Sequence, residues 1–170
     1  KQGILTGIEL VRQRKEEGYR IIATGEAGIG NTTTSSAILS CLLNVPVEQV
    51  TGRGSGLTDE GLIRKQNAIK KALKVNQPDS SDALDVLSKV GGFDIAGMVG
   101  AFLGGMRYRV PVVIDGVISA VAALTAVRIC PECRKFMLSS HMSREPAMVK
   151  IVQELGLDPI IHADMALGEG

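Results

Sequence analysis

The chain has 170 residues, of which 45% are hydrophobic and 3% aromatic, and its formal net charge is +1. A near-neutral charge gives no electrostatic case for a nucleic acid or an anionic membrane as a partner, and the scarcity of aromatic rings argues against a single-strand binder. Residues 1–10 lack a secretory signal pattern, and the most apolar stretch, residues 95–106, is shorter than the roughly 18 residues of a membrane span. We therefore expect a soluble, cytoplasmic protein with a single domain.

The first predicted elements surround a glycine-rich loop. Residues 3–17 have the apolar spacing of a helix, residues 21–23 are predicted as a strand, and residues 33–43 as a second helix. The loop itself belongs to the stretch Gly25 to Ser36, GEAGIGNTTTSS. Backbone N–H groups and the positive end of a helix dipole bind anions in such a place, so a phosphate is expected there. The alternative is an ordinary helix start that is capped by a polar side chain.

This loop matches part of the P-loop pattern, G-x-x-x-x-G-K-[ST]. Gly25, Gly30 and Thr32 fall on the pattern. Asn31 stands at the position of the P-loop lysine, which balances the charge of the β- and γ-phosphates. The amide therefore disfavours nucleoside triphosphate hydrolysis and suits a monophosphate. Glu26 inside the loop would repel a polyphosphate, but it is suited to bind a ribose hydroxyl or to accept a proton.

A second glycine-rich loop, residues 52–56, follows a predicted strand at residues 47–51. Thr58 is expected to cap the helix that comes next. Arg53 in the loop and Lys65 on the helix are candidates to bind a phosphate held near the loop. The alternative is that both are basic residues on a solvated surface.

The remaining elements continue this alternation. Helices are predicted over residues 82–89, 93–107, 118–128 and 146–155, and strands over residues 110–114, 136–139 and 159–162. The small residues of the helix over 93–107 predict close packing, either on the sheet or on the same helix of a second subunit. Strands separated by helices predict a mostly parallel sheet with helices on both faces, that is, a three-layer, Rossmann-like α/β fold.

Polar or glycine-rich clusters follow five of the predicted strands, and they predict where the site lies. The clusters are residues 25–32, 52–56, 115–119, 140–145 and 164–170. In an open parallel sheet, such loops share the carboxyl edge, where ligands bind. We therefore expect the functional site at that edge.

Candidate metal ligands are few. Cys130 and Cys133 form a C-x-x-C motif, but the sequence has neither the second pair nor the spaced histidines of a zinc site. A second set matches no strong spacing pattern: His141, Glu145, His162 and Asp164. We therefore expect neither a metal site nor a cofactor.

Six sequence blocks occur in one order along the chain: GEAGIGNTTT, GRGSGLTDEGLIRK, KVGGFDIAGMVGAFLGG, VPVVIDGVIS, SSHMSREP and LGEG. The chain resembles the nicotinate-nucleotide:dimethylbenzimidazole phosphoribosyltransferases, which make the lower-ligand nucleotide of cobalamin. The resemblance implies a homodimer that transfers the phosphoribosyl group of nicotinate mononucleotide to 5,6-dimethylbenzimidazole, which gives α-ribazole 5′-phosphate and nicotinate. The alternative is a non-catalytic nucleotide-binding or dimerisation module of the same fold.

The resemblance also implies roles for individual residues. Glu169, in LGEG, matches the catalytic glutamate of the family, and Glu26 matches a second carboxylate of the pocket. Phosphate and ribose binding is implied for a larger set: Gly28, Gly30, Asn31, Gly54, Ser55, Lys65, Asp115, Gly116, Ser140 and His141. Because family members have a longer N-terminal region and continue beyond LGEG, the chain is interpreted as the single-domain core of a longer enzyme.

Overall fold

Residues 1–54 and 56–165 are described by the computed structural model, with side chains up to residue 162. These residues form seven α-helices: α1 (Gln2–Glu16), α2 (Asn31–Leu42), α3 (Asp59–Asn76), α4 (Ala83–Val90), α5 (Phe93–Tyr108), α6 (Val117–Ile129) and α7 (Pro146–Leu155). They also form five short strands: β1 (Ile22–Ala23), β2 (Val112–Ile114), β3 (Met137–Ser139), β4 (His141–Ser143) and β5 (Ile161–Met165). Two 3₁₀ helices cover Val47–Gln49 and Pro131–Phe136.

The strands form two small parallel sheets. The first has the order β1-β2-β3, with Ile22 opposite Val112 and Val112 opposite Met137. The second pairs β4 with β5, with His141 opposite Ile161. The predicted α/β class and parallel pairing are confirmed. However, the fold is mostly helical, and the described strands form two small sheets where a single larger one was expected.

The predicted strand at residues 47–51 is wrong, because its first three residues form a 3₁₀ helix. Val47 and Val50 are both buried, and their spacing of three residues puts them on the same side of one 3₁₀ turn. The backbone N–H of Val50 donates to the carbonyl of Val47 at 3.2 Å, so this hydrogen bond closes a turn. The hydroxyl of Thr51 donates to the same carbonyl at 2.6 Å. The second glycine-rich loop therefore follows a turn.

The core is centred on α6, in which every residue from Ile118 to Ala126 is buried. A helix that is apolar on all sides is stable only when other elements surround it, and α6 packs against α5, α7 and α2. The predicted elements over 118–128 and 146–155 are confirmed within one residue at each end. Among the described residues, no helix combines the length and the hydropathy that crossing a bilayer requires.

Helices α1 and α5 approach each other along three glycines, Gly7, Gly100 and Gly104, which we call the α1–α5 seam. A Cβ atom added to Gly7 would lie 2.8 Å from the backbone nitrogen of Ala101 and 2.9 Å from the carbonyl carbon of Gly100. A Cβ atom on Gly104 would lie 3.1 Å from the Cα atom of Ile8. The backbones are therefore in direct contact. Close packing of α5 was predicted, but its partner along this seam is α1, which was not among the partners expected.

Candidate functional site

The three strands of the first sheet end at one edge, and a cavity of about 720 Å³ opens there. Backbone hydrogen bonds continue the parallel pairing beyond the ends of the strands. The N–H of Thr24 donates to the carbonyl of Val113, and the N–H of Ser140 donates to the carbonyl of Ile114, both at 3.1 Å. The loops after β1, β2 and β3 therefore meet, as the sequence predicted for a parallel sheet. The volume is within the usual range for small-molecule sites.

Most of the residues proposed for the site lie in or beside this cavity. Those that line it are Glu26, Asn31, Gly54, Asp115, Gly116 and His141. Four more are adjacent in sequence to a lining residue or bonded to one: Gly28, Gly30, Lys65 and Ser140. Ser55 and Glu169 lie outside the described residues.

Glu26 is bound by the donors of its own loop. One oxygen of its carboxylate accepts hydrogen bonds from the backbone N–H of Gly28, at 3.1 Å, and from the side-chain amide of Asn31. Gly30, with φ of 83°, caps α2 in the left-handed region, where glycine has no steric cost. The carboxylate therefore lies beside the start of α2, where the helix dipole favours a negative charge. Two donors that were assigned to a phosphate hold Glu26 in this structure.

Lys65 lies beneath the opposite wall and is 8% exposed. Its ammonium group donates to the hydroxyl of Thr32 at 2.9 Å and to the carbonyl of Gly52 at 3.0 Å. A Cβ atom added to Gly54 would lie 3.8 Å from this nitrogen. Because an ammonium group has three N–H donors, one remains beyond these two bonds. Lys65 thus joins the start of α2 to the second glycine-rich loop.

Arg53 and Lys65 differ in their partners, although both were candidates for binding a phosphate. Arg53 lines the cavity, but its guanidinium group pairs with Asp59 in the first turn of α3 and donates to the carbonyl of Leu57 at 2.9 Å. Thr58 caps α3 as predicted, since its hydroxyl accepts from the N–H of Gly61 at 3.2 Å. In this structure Arg53 therefore stabilises the turn that leads into α3.

Ser119 connects the loop after β1 to the loop after β2. The hydroxyl of Thr24 donates to the carbonyl of Val113 at 2.8 Å and lies 2.5 Å from the hydroxyl of Ser119. Because the Thr24 proton is used, Ser119 is the donor in that contact, and it accepts from the N–H of Asp115 at 3.2 Å. Ser119 is 2% exposed. Its hydroxyl therefore holds two loops of the site together.

His141 is the first residue of β4, within a segment that was predicted as a loop. It is 4% exposed, and its Nδ1 atom lies 2.9 Å from the hydroxyl of Ser140. His162 is exposed and lies 3.9 Å from Asp158. Over residues 1–54 and 56–162, no three potential metal-ligating side chains gather.

The C-x-x-C motif belongs to the packing beneath α5. Cys133 is buried in the 3₁₀ helix over Pro131–Phe136, and burial raises the pKa of its thiol to about 12. The sulfur of Cys130 lies 3.5 Å from that of Met106. A thiol that stays protonated at neutral pH is a weak nucleophile, so packing describes Cys133 better than redox chemistry.

Four further residues line the cavity: Thr32, Ser143, Arg144 and Glu145. Sequence reasoning placed them in loops at the sheet edge, but it considered Thr32 only as part of the P-loop pattern or as a helix cap and Glu145 only as a metal ligand, and it gave Arg144 no role. A signal for Arg144 and Glu145 was available. Pro146 occupies the first turn of α7, as predicted, so the residues just before it had to lie at the sheet edge where that helix begins.

The comparisons with known proteins agree with the resemblance. A family model described as phosphoribosyltransferase matches residues 1–170. The chain is 50% identical over 169 residues to the nicotinate-nucleotide–dimethylbenzimidazole phosphoribosyltransferase of Clostridium tetani, and the match covers 99% of this chain and 47% of that protein. It is 52% identical to the enzyme of the same name from Ruminiclostridium cellulolyticum, with 99% and 48% covered.

The fold is also similar to that of a solved structure. The crystal structure of CobT from Thermus thermophilus superposes with a TM-score of 0.92 at 39% identity, and the match covers 99% of this chain and 50% of that one. The chain spans about half the length of the curated relatives it matches. By the match over its whole length, this chain belongs to the phosphoribosyltransferase family.

Proposed function

We propose that this chain contributes the core of an enzyme that transfers the phosphoribosyl group of nicotinate mononucleotide to 5,6-dimethylbenzimidazole. The products are α-ribazole 5′-phosphate, a precursor of the cobalamin lower ligand, and nicotinate. The observation that carries the proposal is the cavity at the sheet edge, where Glu26 and Asp115 face the same space as the wall supported by Lys65. Carboxylates that line the pocket and an ammonium group behind its wall suit a substrate with a cationic ring and an anionic phosphate.

The chemistry of the leaving group sets what the protein has to supply. The pyridinium ring of nicotinate mononucleotide is already cationic and leaves as neutral pyridine nitrogen, so no Lewis acid is needed to activate it. The attacking benzimidazole loses its N–H proton as its other nitrogen forms the bond to C1′. The protein therefore has to position the two rings and to provide a base. By the resemblance, Glu169 is that base.

Glu26 is proposed to support the reaction from the loop after β1. Its carboxylate is fixed by Gly28 and Asn31, so it is oriented before a ligand binds. A fixed carboxylate stabilises positive charge on a nearby ring or accepts a hydrogen bond from a ribose hydroxyl. Asp115 and Gly116, on the loop after β2, are proposed to bind the ribose from the other side.

The phosphate is proposed to bind between the start of α2 and the second glycine-rich loop. Lys65 supports this choice because its ammonium group bridges the two elements. Gly54 has a φ of 56°, which glycine adopts without steric cost, and it lies next to both groups, since a Cβ atom there would be 3.2 Å from the hydroxyl of Thr32 and 3.8 Å from the nitrogen of Lys65. Ser55, Ser140 and His141 are proposed as further contacts of the phosphate or the ribose.

Three further expectations are part of the proposal. We infer that the parallel sheet β1-β2-β3 belongs to a three-layer, Rossmann-like arrangement, which its parallel order supports. The resemblance supports a homodimer that acts in the cytoplasm, and light scattering coupled to size-exclusion chromatography measures the assembly.

The experiment incubates the protein with nicotinate mononucleotide and dimethylbenzimidazole, without added metal, and follows nicotinate and α-ribazole phosphate by chromatography. Glu169→Gln is expected to lower the rate by about 10²–10⁴-fold, the usual contribution of a general base. Glu26→Gln is expected to have a smaller effect. Glu48→Gln is the matched control, because Glu48 pairs with Lys70 on the exposed surface, and its rate should equal that of the wild type.

Two results would contradict the proposal. Binding of the mononucleotide in calorimetry without any product would favour a non-catalytic nucleotide-binding module. A Glu169→Gln variant with the wild-type rate would refute the role of Glu169 while leaving the transfer itself established.

A further inference from the structure

Glu145 occupies an unusual position for an acidic residue, because it lies beside the proposed phosphate site. It is the residue before α7, and it lines the main cavity at the sheet edge. It also lines a small cavity beneath the second glycine-rich loop, together with Thr32 and Gly52. Its carboxylate packs directly on Gly52, where a Cβ atom would overlap it. Gly52 is therefore in contact with Glu145 on one side.

The same Gly52 is in contact with Lys65, since its carbonyl accepts the hydrogen bond from the ammonium group. Lys65 donates a second hydrogen bond to the neutral hydroxyl of Thr32. Both partners of this buried ammonium group are therefore uncharged. An ammonium group that leaves water loses hydration free energy, which neutral acceptors compensate only in part.

We propose that Glu145 is a positioning residue for Lys65: it fixes the Gly52 turn and supplies the counter-charge that keeps the ammonium protonated and directed towards the phosphate site. This inference rests on the proposed function only where it names the phosphate as the ligand of Lys65. Glu145 acts through Lys65 and Gly52, because a carboxylate would repel a phosphate if it were itself a ligand.

The charges around Lys65 agree with this role. Burial lowers the pKa of Lys65, and the charge of Glu145 raises it. Arg53 and Asp59, on the adjacent loop and helix, pair with each other. Arg144 precedes Glu145 and is exposed, and Glu26 across the cavity is bound by its own loop. Removal of the charge of Glu145 is therefore expected to lower the pKa of Lys65 further.

The experiment measures the protonation of Lys65 directly. The protein is prepared with ¹³C-labelled lysine, and the Cε signal of Lys65 is assigned as the one that is missing in Lys65→Arg. In Glu145→Gln, the titration midpoint of this signal is expected to fall by about one pH unit, the low end of the effect of a close opposite charge. Glu48→Gln is the matched control, because it removes the partner of Lys70 and should leave Lys65 unmoved.

A second variant tests the positioning without removing the charge. Gly52→Ala puts a methyl group where the carboxylate of Glu145 lies, and the end of that flexible side chain has to move. The titration midpoint of the Lys65 Cε signal should fall in this variant too, but by less than in Glu145→Gln. A midpoint that is unchanged in both variants would overturn the proposal, even if both variants bind nicotinate mononucleotide normally.

Ligand binding separates this inference from the proposed function. In the wild type, affinity for nicotinate mononucleotide should fall as pH rises through the midpoint of Lys65, and in Glu145→Gln this decline should begin at lower pH. Lys65→Arg, which does not titrate in this range, should lose the decline. If the mononucleotide does not bind the wild type at all, the proposed function fails, whereas the midpoints of Lys65 still decide the role of Glu145.

Discussion

Glycine serves opposite purposes in the α1–α5 seam and in the loops at the sheet edge. In the seam, a Cβ atom on Gly7 or Gly100 would collide with the backbone of the facing helix. In the loops, a Cβ atom on Gly25 or Gly30 would meet nothing within 4 Å among the described residues. Glycine in the seam is therefore required by the backbone of the facing helix, whereas Gly25 and Gly30 leave room. The loop glycines Gly28 and Gly52 differ from both, because they are crowded by the ends of the Asp94 and Glu145 side chains. The comparison suggests that stability depends on the first region and ligand binding on the second.

The largest effect is expected from Gly7→Ala. The methyl group would press on the backbone of Gly97, Gly100 and Ala101, and a backbone in a packed helix cannot move aside as a side chain can. We expect the free energy of unfolding to fall by about 2–3 kcal/mol, as for other overpacked cores, and urea unfolding measures it.

The matched control for this variant is Gly97→Ala on α5, because a Cβ atom at that position meets nothing within 4 Å in the described part of the chain. It should raise the stability by about 0.5–1 kcal/mol through helix propensity. Equal destabilisation by both variants would mean that the seam is not a special contact.

The next effect concerns affinity. Lys65→Met keeps an unbranched apolar side chain as far as Cε and removes the ammonium group, so nicotinate mononucleotide should bind about 10–100-fold more weakly, as expected for the loss of a charged hydrogen bond. Calorimetry at neutral pH measures it. Arg64→Met, on the exposed side of α3, is the control and should bind within about twofold of the wild type. Equal losses in both variants would indicate a general effect of charge.

A smaller effect on the free energy of unfolding is expected for Ser119→Ala, because Ser119 holds two loops of the candidate site together. Ser119→Ala leaves the N–H of Asp115 without its acceptor and the hydroxyl of Thr24 without its donor. We expect a loss of about 1–2 kcal/mol in unfolding free energy. Ser88→Ala on the exposed face of α4 should change it by less than about 0.5 kcal/mol. A Ser119→Ala variant as stable as Ser88→Ala would show that water replaces the hydroxyl.

The smallest change in stability is expected in the loop after β1. Gly30→Ala has space for its methyl group, but φ of 83° costs an alanine about 1 kcal/mol. Gly25→Ala has the same space and no positive φ, so it should be neutral. The affinity for nicotinate mononucleotide should fall more in Gly30→Ala than in Gly25→Ala. The reverse order would place the ligand against Gly25.

The periodicity of apolar residues predicted the helices well, because a helix that is buried on one side has apolar residues at a regular spacing. It could not decide the segment from Val47 to Val50, since two valines three residues apart fit a 3₁₀ turn as well as a strand end. Position in the chain likewise does not distinguish Arg53 from Lys65. Only the fold shows that one pairs with Asp59 and the other is buried against Gly52.

The location of the candidate site could be predicted from the sequence, whereas the contacts of its side chains could not. Parallel strands bring their following loops together whatever those loops contain, so Glu26, Asp115 and His141 line one cavity, and their roles there stay predictions. The engagement of Gly28 and Asn31 by Glu26 depends on side-chain geometry within one loop. The position of Glu145 on Gly52 depends on contacts between segments far apart in the chain, for which the sequence has no local signal.

The hydrogen bonds of Ser119 run in one direction. From the N–H of Asp115 through Ser119 and Thr24 to the carbonyl of Val113, every proton already has its acceptor, and both ends are backbone groups that neither gain nor lose protons at neutral pH. Such a chain cannot act as a proton wire. The proposed transfer therefore needs another acceptor for its proton, and three side chains that line the same cavity can serve as one: Glu26, Asp115 and His141.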